Sequence, residues 1–107
     1  MQQISAAQLA EWLKDPERVR PLLLDVREPW EFATCCIEDS MSMPMNSIPA
    51  RYMDMDRETP TVVICHHGHR SMQVAMFLER QGFTNVINLV GGVAAWAHQV
   101  DPAMPTY

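Results

Sequence analysis

No stretch of this chain approaches the about 18 consecutive apolar residues of a membrane-spanning helix, so no membrane partner is expected. The opening M-Q-Q-I-S lacks the basic, apolar and small-residue segments of a secretion signal, which sets the expectation of a cytoplasmic protein. Its three cysteines, Cys35 and Cys36 adjacent and Cys65 distant, offer no disulfide framework and fit a reducing compartment. Blocks of like charge are missing too, and the formal net charge of -5 argues against nucleic acid or an anionic membrane as partner. Any anion bound here must be held by a local positive field, because the global field opposes it. Internal repeats and low-complexity tracts are also absent. With 48 % hydrophobic residues, the 107 residues suffice for one core. Residues 1–107 read as a single domain, with a core over about 4–100 and an irregular tail, D-P-A-M-P-T-Y, at 101–107.

What is present alternates between helix and strand. Ser5 as cap, Gln8 completing a capping box, and Ile4 with Leu9 as a hydrophobic staple predict a helix that ends at Asp15-Pro16. Leu22 to Val26 is an apolar run of strand length, as expected for a strand covered on both faces. Pro29 suits a first helical turn, so a short helix is expected from Glu28 to about Thr34. Ser40 to Met45 alternates with Met41, Met43 and Met45 on one side, and Pro44 demotes it to an edge strand. Residues 46–57 read as irregular or weakly helical. Thr61–Ile64 is a central strand, Arg70 to Gln81 a helix stopped by Gly82, and Val86–Val90 another buried strand. Gly91-Gly92 and a helix through Trp96 follow. Such alternation predicts a parallel sheet with helices on both faces, and ligands in such sheets sit beyond the carboxyl ends of the strands. Cys65 falls at that edge.

The segment T-V-V-I-C-H-H-G-H-R-S (61–71) therefore sets a thiol between a strand tip and a helix N-terminus. A free cysteine, of pKa about 8.5, gains thiolate character near unpaired helix amides or a cation. Gly68 permits a turn in which successive amides converge on one point. Arg70 offers a planar fork to an oxyanion, and the Ser71 hydroxyl can donate to a thiolate or a ligand. The pattern describes an anion-binding cup with a nucleophile at its base.

Three blocks, L-L-D-V-R-E-P-W-E-F (23–32), C-H-H-G-H-R-S (65–71) and G-F-T-N-V-I-N-L-V-G-G-V-A-A-W (82–96), together resemble a single-domain rhodanese, a sulfurtransferase. The resemblance implies a three-layer α/β/α domain around a parallel sheet. It further implies that Cys65 takes a sulfane sulfur from thiosulfate or a persulfide donor, carries it as a persulfide, and passes it to cyanide, a thiol or a protein acceptor. It places His66, His67, Gly68, His69, Arg70 and Ser71 around the substrate and Asp25 and Arg27 beside the site in support. Gly91, Gly92 and Trp96 match its last strand-to-helix turn, with a packing role. No metal or separate cofactor is implied, the sulfur being carried covalently. Phosphatases sharing this fold have one residue more between cysteine and arginine than the four here, His66 to His69, and a tighter ring suits one sulfur better than a phosphate. Two departures stand out. Histidines replace the extra Arg or Lys common in the family's loop, and Cys35-Cys36-Ile37 stands where Gly-His-Ile is common.

Other readings of the same residues differ in kind. Cys65 as a buried structural thiol ignores its place before a glycine-containing loop. Zinc at Cys65, His66, His67 and His69 requires side chains that converge, whereas adjacent loop residues diverge. Cys35 and Cys36, the methionines, and Trp12, Trp30 and Trp96 read as packing residues, and Asp25 with Arg27 as a structural ion pair. The alternative to an enzyme is a non-catalytic rhodanese-like module that binds a partner or senses sulfur or redox state.

Overall fold

The computed structural model describes all 107 residues. Five strands, β1 (Gln2–Ile4), β2 (Leu22–Asp25), β3 (Met41–Ser42), β4 (Thr61–Ile64) and β5 (Val86–Leu89), form one sheet in the order β1-β5-β4-β2-β3. Every pairing is parallel. Five helices accompany them: α1 (Ala6–Lys14), α2 (Pro29–Thr34), α3 (Ile48–Arg51), α4 (His69–Arg80) and α5 (Gly92–Gln99). The expected α/β layering on a parallel sheet is what is found. No helix is long and apolar enough to cross a membrane.

Side-chain alternation along the strands builds two cores. Leu23, Val62, Ile64, Ile87 and Leu89 face one side, against Leu9 and Trp12 of α1 and Val93 and Trp96 of α5. Leu24, Val63 and Val86 face the other, against Ile48 of α3 and Val74, Ala75 and Leu78 of α4. Both faces are covered, so these strands are apolar along most of their length, Asp25, Thr61 and Asn88 being the buried exceptions. Met43 is buried in the second core and Met41 and Met45 pack against it, the filling role their spacing implied.

Local signals place most element ends. The Gln8 amide donates to Ser5 Oγ at 3.1 Å and the Ser5 amide to Gln8 Oε1 at 2.9 Å, closing the capping box of α1. Met41–Ser42 is the edge strand, shorter than the alternation suggested because Pro44 follows it and 3₁₀ turns begin at Met45. Trp30, expected to pack, instead stands 61 % exposed. The first strand, Gln2–Ile4, was hidden by its two glutamines. It lies at the opposite sheet edge, where outward polar side chains cost little.

Candidate functional site

Cys65 follows β4, the middle strand of the sheet, and is 1 % exposed. Its loop is shaped by the start of α5. The Val93 and Ala94 amides donate to the carbonyls of Cys65 at 2.9 Å and His66 at 3.1 Å. With these carbonyls claimed by the neighbouring helix, the chain turns at Gly68, whose φ of 105° lies in the left-handed region. The Gly68 amide then points at the sulfur, donating to Cys65 Sγ at 3.0 Å from the N-cap of α4.

Ser71, in the first turn of α4 and fully buried, lies with Oγ 3.3 Å from Sγ. The thiol donates to this oxygen, and the hydroxyl donates to Asn88 Oδ1. Asn88 is held in that orientation because its amide nitrogen donates to Gln3 Oε1 at 3.2 Å and the Gly68 carbonyl at 3.5 Å. When the thiol ionises, the Ser71 hydroxyl can turn its proton onto the sulfur. Of the loop amides expected to converge on the sulfur, that of Gly68 makes the contact.

Arg70 is not free. Its Nη1 and Nη2 bind Glu31 Oε1 and Oε2 at 2.7 and 2.9 Å. This two-pronged contact, chiefly, holds the Glu31 carboxyl down at about 2, against the desolvation that raises it. The same contact raises Arg70, with a smaller contribution from negative charge on Cys65. Burial, then the neighbouring His67, pushes His66 below the usual histidine range. Its ring stacks on His67 at 4.0 Å and on Tyr107 at 4.2 Å. His67 and His69 are exposed.

Asp25 and Arg27 form a second, deeper pair, with Nη2 2.7 Å from Oδ2 and both side chains buried. Burial alone would lower Arg27, but hydrogen bonds to Asp25 and Tyr107 outweigh it and hold the guanidinium protonated. Its remaining donors reach the Cys35 carbonyl at 2.6 Å and the Tyr107 hydroxyl at 2.9 Å. Arg27 is thus out of solvent and linked to the surroundings of the loop through Tyr107 and the Glu31 carbonyl. A cleft of about 180 Å³ lies beside the loop, lined by Cys35, His66, His67, Val93 and Tyr107 among others. Cys35 is buried in the first core, Cys36 is half-buried, and all three cysteines are free.

Residues 5–99 match the rhodanese-like domain. The chain belongs to that family. A sulfurtransferase of Allochromatium vinosum is 39 % identical over 95 residues, which cover 89 % of this chain and 87 % of the relative. The thiosulfate sulfurtransferase GlpE of Stutzerimonas stutzeri is 36 % identical over 77 residues, covering 72 % and 71 %. The crystal structure of a rhodanese-related protein from Thermoplasma volcanium superposes with a TM-score of 0.83 at 31 % identity, over 94 % of each chain. These relationships bear out the rhodanese resemblance read from the three sequence blocks. Sulfur transfer, with a sulfur donor and a sulfur acceptor as partners, is the activity that follows for this rhodanese domain.

Three residues that contact this candidate site are not singled out by the sequence. Asn88 carried a signal, since a polar residue inside the apolar run V-I-N-L must find buried partners. Glu31 lies within the segment 23–32, but only the fold brings α2 against the start of α4. Tyr107 carried none, because it sits in a tail that folds back by tertiary contacts alone.

Proposed function

We propose that this rhodanese domain transfers sulfane sulfur from thiosulfate, or from a persulfide donor, to cyanide, a thiol or a protein acceptor through a persulfide on Cys65. The observation that carries the reading is the sulfur's placement at the α4 N-terminus, with the Gly68 amide at 3.0 Å and the Ser71 hydroxyl at 3.3 Å. Those donors favour a negative sulfur at this position, whether thiolate or persulfide.

In the first half-reaction the Cys65 thiolate attacks the outer sulfur of thiosulfate. A new S–S bond forms on Cys65 as the old one breaks, and sulfite leaves with the bonding electron pair. In the second, the acceptor attacks the terminal sulfur of the persulfide, and the Cys65 thiolate departs unchanged. With cyanide the product is thiocyanate. No cofactor takes part, because the sulfur travels covalently. Arg70 meets the sulfonate end of the donor, exchanging part of its grip on Glu31 for the ligand. His66, His67, Gly68 and His69 form the rest of the loop around it, and Asp25 and Arg27 support it indirectly as a buried ion pair that holds Tyr107. The relative named for thiosulfate supports that donor. Four residues between Cys65 and Arg70 suit sulfur over a phosphate monoester. Three free cysteines agree with work in the reducing cytoplasm.

The test is thiocyanate formation from thiosulfate and cyanide by wild type and Cys65→Ser. The reading expects turnover by the first and none by the second. Turnover retained by Cys65→Ser sinks the assignment. A wild type that binds thiosulfate without turning it over favours the sensing module instead.

A further inference from the structure

Tyr107 takes no part in the steps above, yet its hydroxyl lies inside the ion-pair network beside them. Arg27 Nη1 donates to it at 2.9 Å, and it lies 2.7 Å from Glu31 Oε2. A guanidinium can only donate, so the direction is fixed: arginine to phenol, phenol to carboxylate. Glu31 Oε2 then receives two donors, Tyr107 and Arg70 Nη2. Oε1 receives two more, Arg70 Nη1 and the Glu28 amide. The four acceptor positions of the carboxylate are filled.

The ring is seated independently of its hydroxyl. It stacks on His66 at 4.2 Å with 21° between planes, and meets Trp30 edge-on at 5.4 Å. Met104, three residues earlier, is buried in the first core and anchors the segment. The stretch after α5 is thus anchored at Met104 and meets the loop through the Tyr107 ring, while the rest of it, and part of that ring, stays exposed.

We propose that Tyr107 is a positioning residue of this site, which sets through Glu31 how tightly Arg70 is held and so how readily Arg70 serves the donor anion. The inference rests on the reading that Arg70 meets the donor. Arg70 commits one N–H of each Nη to Glu31, so turning that two-pronged face to the donor loosens the pair. The tyrosine hydroxyl occupies part of Oε2 and keeps the carboxylate seated on α2 when Arg70 turns away. Without the hydroxyl, Oε2 has Arg70 as its one side-chain partner, the pair tightens, and the donor meets a stronger competitor.

The experiment is thiosulfate:cyanide kinetics on the full chain with Tyr107→Phe, Arg70→Ala and the double variant, each checked by thermal melting. Tyr107→Phe keeps the stacked ring and removes only the hydroxyl. It should raise the thiosulfate KM about threefold to tenfold with kcat within about twofold, and the factor should vanish in the Arg70→Ala background. An unchanged KM in Tyr107→Phe overturns the inference, as does a factor that persists without Arg70. Arg70→Ala with an unchanged KM instead removes the donor role of Arg70, and the inference goes with it. The side-chain Nε signal of Arg70, followed by nitrogen NMR, supplies a readout without turnover. It should move on Tyr107→Phe, and an unmoved signal also overturns the proposal.

Discussion

Gly92 lies so close to Cys65 that a Cβ on the glycine would overlap the Cys65 carbonyl oxygen, and the His66 carbonyl beside it. The Cys65 loop and the start of α5 are therefore one unit. The close approach lets the Val93 and Ala94 amides take those two carbonyls, which in turn leaves the Gly68 amide free for sulfur.

Gly92→Ala should accordingly disrupt both packing and chemistry. Overlap with backbone, together with a φ of 58°, is expected to cost about 3 kcal/mol or more and to lower sulfur transfer sharply. Gly82→Ala is the control. Its φ is 93°, but an added Cβ meets only the Arg57 side chain, at 3.7 Å. It should lose about 1–2 kcal/mol from backbone strain and keep its activity. Urea melts and thiocyanate assays on the two variants check the contrast.

Ser71→Ala removes the oxygen that lies between Cys65 Sγ and Asn88 Oδ1. Asn88 is 2 % exposed, so its carbonyl oxygen is left without the Ser71 donor, at a stability cost of about 1–3 kcal/mol. The negative sulfur also loses a donor, and kcat/KM should fall about tenfold. Equal activity in Ser71→Ala and wild type, at temperatures where both are folded, contradicts a role for this hydroxyl.

Glu31 makes stability depend on pH in a defined window. Its carboxyl is held at about 2 in the folded chain against an ordinary 4.5. A depressed carboxyl contributes its stabilisation fully above 4.5 and loses it as pH falls through about 2. The difference amounts to about 3 kcal/mol, or about 2 once screening at the more exposed Arg70 end is discounted. Wild type should exceed Glu31→Gln in urea stability by that amount at pH 7, and the gap should narrow steadily from pH 4.5 downward. A gap that stays constant across the window shows that the carboxylate charge is not what Glu31 contributes.

The parts of this molecule legible in its sequence are those fixed by local rules. Ser5 and Gln8 announce α1, the apolar runs at Leu22 and Thr61 announce buried strands, and Gly68 marks the turn before α4. The loop around Cys65 was legible because strand, thiol, glycine and helix are contiguous. What stayed hidden depends on distant pieces of chain meeting. Glu31 and Arg70 are 39 positions apart, and Tyr107 reaches Arg27 across 80. Arg70 therefore read as an uncommitted cation, when in the folded chain it is already paired. Trp30 departs from its expected packing role for a related reason: an aromatic on a short helix has an outward face, and only the fold decides which residue occupies it.

The central claim, that sulfur rides on Cys65, is tested most directly by intact-mass and peptide mass spectrometry after thiosulfate treatment. The account expects a gain of one sulfur atom, confined to the peptide carrying Cys65, reversed by cyanide and absent in Cys65→Ser. No gain, or a gain that maps to Cys35 or Cys36 and survives in Cys65→Ser, contradicts it.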